Sequence, residues 1–126
     1  MKAERKVQGA QGATARIANK AARAMVQMRR PFEGSNLYAR EHTPQHQMST
    51  LYVVYSYGDH WPLYVAETDE GNNTTWYENA GRYSLSTSRH HSQCNPYEDT
   101  IKLTPGAMRR CAVEGIAGVA AMGEMA

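Results

Sequence analysis

The chain has 126 residues, 41% of them hydrophobic, and a mean hydropathy of −0.66, which suits one domain with a modest core and excludes a membrane span. Its net charge of +2 conceals a division: eight of its fourteen basic residues precede Phe32, where Glu4 is the single acid. A basic arm over residues 1–31 and a mildly acidic body over 32–126 are the expected units. The two cysteines, Cys94 and Cys111, follow no framework spacing, and the N-terminus lacks the apolar core of a secretory signal. The expectation is a reduced protein of the cytoplasm.

From Ala13 to Arg30 strong helix formers dominate. Ile17, Ala21, Ala24, Met25 and Met28 make an apolar stripe, and Arg16, Lys20, Arg23, Gln27 and Arg30 make a basic one beside it. Pro31 ends the helix, because proline disfavours helical geometry at the residue before it. Such a basic stripe is either a solvated face or a strip that meets nucleic acid or an acidic protein surface.

Residues 32–40 read as a turn leading into a short strand, and the Gln/His-rich stretch from Pro44 to Met48 reads as a loop. His42 and His46 stand at a metal-sharing helical spacing, but Pro44 between them argues against a helix. Leu51 to Tyr57 and Trp61 to Ala66 are two Tyr/Val-rich strands joined at Gly58-Asp59, with large apolar groups on both faces. That predicts a central hairpin under a helix. Residues 69–73 form a turn without the spaced ligands of a calcium loop, and Thr74 to Glu78 is a third strand.

A short helix opens near Thr87 or Ser88, where a hydroxyl caps free amides, and Cys94-Asn95-Pro96 stops it. Residues 100–103 are a brief extended piece. Thr104-Pro105 starts the last helix, whose stripe of Met108, Cys111, Gly115, Val119 and Met122 faces a sheet. Its glycines and alanines also allow a homodimer through this C-terminal helix.

Chemistry-bearing side chains concentrate in Arg89-His90-His91-Ser92-Gln93-Cys94. His90 and Cys94 lack the two further ligands of a zinc site, so no metal is expected. Asp59-His60 at the hairpin tip is explained by the turn alone. No phosphate-cradling glycine loop, nucleophile elbow or His-Glu-x-x-His helix is present, and neither a cofactor nor an enzymatic activity is expected.

Tyr52 to Val65 reads Tyr-Val-Val-Tyr-Ser-Tyr-Gly-x-His-Trp-Pro-x-Tyr-Val, followed by Trp-Tyr-Glu-Asn from Trp76 and Arg-Tyr-Ser-x-Ser-Thr-Ser-Arg-His-x-Ser-Gln from Arg82. This order resembles a group of small, uncharacterised phage proteins over residues 32–120; Ser86 stands where that group has threonine. The resemblance implies phage or prophage origin and a non-enzymatic protein that disables host machinery. It points to Tyr83, Ser84, Thr87, Arg89, His90 and Gln93 as a shared interaction surface, although Tyr83 and Thr87 equally suit fixing a turn and capping a helix.

The expected fold is α+β: a small antiparallel sheet of three to four strands packed by a C-terminal helix, with a basic amphipathic N-terminal helix. The expected function is binding to a host protein or nucleoprotein complex, as an anti-CRISPR-like inhibitor of a defence or nucleic-acid-processing complex. The alternative is direct DNA or RNA binding through Arg16, Lys20, Arg23 and Arg30 of the arm. A weaker one is a small hydrolase or nuclease using His90, His91 and Asp59.

Overall fold

The strand Thr50–Ser56 is buried on both faces, and a strand of that kind demands a layer on each side of its sheet. The structure, a computed structural model, describes residues 14–45, 47–81 and 85–123, with side chains from Ser88 onward in the helix that opens at Leu85. Its elements are β1 (Ala15–Arg16), a 3-10 turn at Asn19–Ala21, α1 (Ala22–Gln27), β2 (Phe32–Glu33), β3 (Leu37–His42), β4 (Thr50–Ser56), β5 (Pro62–Thr68), β6 (Thr74–Asn79), α2 (Leu85–Gln93), β7 (Thr100–Leu103) and α3 (Pro105–Ala121).

Among the described residues, seven strands join one sheet in chain order. β2 to β6 form an antiparallel meander, whereas β1–β2 and β6–β7 are parallel pairs. A parallel pair needs a crossover, and α1 and α2 supply the two. β1 and β6 run the same way and step to the same side, so right-handed crossovers put both helices on one face. There Ala22 and Val26 of α1 share a core with Phe32, Leu37, Tyr52, Val54, Tyr64, Trp76 and Cys94. On the opposite face Met108, Cys111, Ala112 and Val119 of α3 pack on Leu51, Val53, Val65 and Tyr77.

This corrects the expected small antiparallel sheet of three to four strands: the sheet has seven strands, is mixed, and carries helices on both faces. β1 and β2 are two residues each, too short to show a period, and β7 joins only because α2 carries the chain across to β6. Residues 15–27 are part of this layering, since β1 pairs with β2 and α1 buries Ala22 and Val26. The helix expected from Ala13 to Arg30 shrinks to six residues, with Ala24 and Met28 exposed.

α3 opens as its sequence predicts: Thr104 Oγ1 accepts from the Ala107 N–H at 3.1 Å, with Pro105 in the first turn. Its stripe is buried at Met108, Cys111, Gly115 and Val119, while Met122 is exposed. Gly115, at φ 76°, breaks the helix, and the Ile116 N–H turns to Glu67 Oε1 at 2.9 Å. That leaves the Ala112 carbonyl without its i+4 donor, and His42 Nε2 donates to it at 2.8 Å. Gln47 Nε2 donates to the Glu114 carbonyl at 2.7 Å. The end of β3 and the loop after it are thereby fastened to the break. Among the described residues no helix is long and apolar enough to cross a membrane.

Candidate functional site

The last turn of α2 presses two consecutive histidines against the sheet, each about 4% exposed. Ser56 Oγ lies 2.7 Å from His90 Nδ1, and the Tyr57 ring sits 5.3 Å from the His90 ring. Burial first, and the Arg89 charge second, hold the His90 imidazole below its usual range, which favours the neutral form. The His91 ring meets Tyr64 edge-on at 5.5 Å, and its Nδ1 lies 3.5 Å from Glu78 Oε2. The Tyr64 hydroxyl donates to the His91 carbonyl at 3.1 Å.

Glu78 is the acidic member of this group. Burial pushes its carboxyl up, but hydrogen bonds from Thr100 and Lys102, with the Lys102 and His91 charges, outweigh burial and hold it below the usual range. Thr100 Oγ1 donates to Glu78 Oε1 at 2.8 Å and Lys102 Nζ at 3.1 Å. Beside it a cleft of about 280 Å³ is lined by Tyr64, Glu78, Ser88, His91, Ser92 and Asn95.

Cys94, four residues from His90, donates through Sγ to the His90 carbonyl at 2.9 Å, and burial pushes its thiol far up. Its sulfur therefore meets the backbone of His90. Among the described residues no group of three or more His, Cys, Asp or Glu side chains can hold a metal ion. Asp59 lies apart from the histidines: its carboxylate takes the Tyr38 hydroxyl and sits 3.8 Å from Arg40, on the face opposite α2.

The basic stripe divides. Arg23 turns inward: its Nε donates to the Asn95 carbonyl at 3.2 Å, its Nη2 to the Ser92 carbonyl, and its guanidinium lies 4.4 Å over the Tyr97 ring. It thus fastens the end of α2 and the turn after it, where the Ser92 carbonyl otherwise accepts only a long bond from the Asn95 N–H at 3.5 Å among the described residues. Lys20, Arg29 and Arg30 are exposed. Arg89 is exposed, while Gln93 is half-buried, its Oε1 without a hydrogen-bond partner among the described residues. Tyr83, Ser84 and the Thr87 side chain lie outside the described residues.

Arg16 joins a surface that the sequence reading passed over. The registers place Arg16, Glu33, Tyr38 and Tyr55 in one cross-strand row over β1 to β4. The row lies on the α3 side, because Leu37 and Ala39 point into the other core. α3 packs against β4 to β7, so Arg16, Glu33 and Tyr38 run beyond the helix, while Tyr55 is half-buried at the margin of its core. Tyr38 and Tyr55 stack at 5.0 Å, Arg40 lies 4.7 Å over the Tyr38 ring, and Arg16 approaches Glu33 at 4.0 Å. Burial, with Asp59 adding, pushes both tyrosine hydroxyls up, so they remain donors. The available signal was the period of two in Leu37-Tyr38-Ala39-Arg40.

No protein-family model matches the chain, and neither a curated protein nor a solved structure is significantly similar to it.

Proposed function

We propose that this chain is a non-enzymatic binding module of phage or prophage origin, acting in the host cytoplasm by covering part of a host defence or nucleic-acid-processing complex. The observation that carries the reading is the row Arg16, Glu33, Tyr38 and Tyr55, which starts at the margin of the α3 core and runs out past the helix. Tyrosine and arginine are enriched at protein interfaces, where a stacked pair supplies large contact area at low entropic cost. The row is also charge-balanced, with Arg16 beside Glu33 and Arg40 beside Asp59. A mixed-charge protein surface suits it better than a polyanion does. Arg23, one of the arginines available to a nucleic acid, is held by carbonyls of its own domain.

The test is capture from a bacterial host lysate by the immobilised full chain, by a Tyr38→Ala/Arg40→Ala variant and by a Lys20→Ala control. A host protein retained by the chain and the control but lost from the double variant supports the reading. Equal capture by all three overturns it. So does binding to nucleic acid alone that weakens steeply with salt.

A further inference from the structure

β7 is the outer strand of the sheet, and its free edge has an unusual combination of features. The Leu103 carbonyl accepts from the Ala80 N–H at 2.8 Å, so the backbone groups of Leu103 and, by alternation, Ile101 face β6. Those of Thr100 and Lys102 therefore face outward, and among the described residues no strand pairs with them. α3 packs chiefly on β5 and shares a core with Leu103 of β7, while α2 packs toward the 3-10 turn before α1. Ile101 is left 46% exposed.

Native edges are commonly protected by a lysine, and Lys102 stands at the right place to do so. Its ammonium, however, is drawn back toward β6, to Glu78 Oε1 at 3.1 Å, and away from the free edge. The other outer strand, β1, is two residues long and offers little to pair with.

We propose that β7 pairs antiparallel with β7 of a second copy of this chain, about a two-fold axis at Ile101, to make one continuous sheet. The pattern is self-complementary. Thr100 comes opposite the partner's Lys102, and Lys102 opposite the partner's Thr100, so the outward groups bond one another in pairs. The two copies of Ile101 meet as a pair whose own backbone bonds point away, the closer-spaced kind of cross-strand pair. Charge selects the antiparallel sense: Glu98 and Asp99 precede the strand and Lys102 lies near its end, so each lysine approaches the partner's acidic end. A strand of four residues gives a small interface, and the association is concentration-dependent.

Sedimentation equilibrium of the full chain over a concentration series tests this, together with oxidative crosslinking. The expected result is a mass that doubles as concentration rises, and a mass that stays monomeric for Ile101→Glu, which sets carboxylates face to face across the axis. An Ile101→Cys variant should form an intermolecular disulfide readily, since a pair of this kind has Cα atoms about 4.5 Å apart, within disulfide reach. Val113→Cys, exposed on α3, is the control and should crosslink slowly. Far-UV circular dichroism confirms that each variant folds. A monomer at every concentration overturns the proposal, as does a dimer that survives Ile101→Glu or faster crosslinking through Val113→Cys.

Discussion

The Glu67 carboxylate accepts a hydrogen bond from the Ile116 N–H at 2.9 Å, across 49 residues of sequence, and so caps the second half of α3 from β5. Gly115 makes this possible. Its φ of 76° is left-handed, and a Cβ there would stand 2.9 Å from Glu67 Oε2. Gly115→Ala is expected to destabilise the fold by about 1–3 kcal/mol from backbone strain, with the carboxylate clash added. Glu67→Ala should cost about 1–2 kcal/mol, as the loss of a helix cap does, and Glu67→Gln less, because an acceptor remains. Urea unfolding checks all three; a Gly115→Ala protein as stable as the parent would refute this account of the break.

Arg23 ties α1 to the carbonyl end of α2, so Arg23→Ala should lower stability by about 1.5–3 kcal/mol, the range for hydrogen bonds that involve a charged group. Arg23→Lys should recover little, because an ammonium cannot serve two carbonyls while lying flat on Tyr97. Lys20→Ala, on an exposed position, should be nearly neutral. Hydrogen exchange at the end of α2 should quicken in Arg23→Ala and stay unchanged in Lys20→Ala.

Stability should fall in two separate steps on acidification. His90 binds a proton less readily folded than unfolded, so its contribution is complete above the ordinary histidine value of 6.5 and is lost as pH falls below it. Glu78 is held below 4.5, so its contribution is present above that value and is lost as pH falls further. Denaturant midpoints measured from pH 8 to pH 3.5 should show both steps. His90→Gln should abolish the upper one alone; an unaltered upper step would assign it to another group.

Both cysteines should be silent in the native state. Burial pushes the Cys111 thiol up to about 12, with Glu67 adding, and pushes Cys94 up as well. A thiol reagent at pH 8 should modify neither until the protein unfolds, and then both. Rapid modification of the folded chain would show that one of these cores opens locally.

Much of the local structure is legible in the sequence because it rests on neighbouring residues. Leu51 to Ser56 and Pro62 to Thr68 announce a doubly buried hairpin through their branched and aromatic residues. Thr104-Pro105 announces the start of α3 by chemistry confined to one turn. The proposed binding surface was less legible. The basic spacing singled out Arg16 and Arg23 alike, yet Arg16 sits on the surface row and Arg23 against two carbonyls.

The sequence by itself determined the central hairpin and the last helix, because periodicity and capping act within a few residues. The tertiary structure alone decided the seven-stranded order, the break at Gly115, and which half of the sheet α3 leaves uncovered. Those depend on contacts between distant segments: a two-residue strand has no period of its own, and Glu67 acquires its role only when Ile116 arrives beside it. Such pairings gain their energy from burial and hydrogen bonds made after the chain has closed on itself, and no local window of residues contains them.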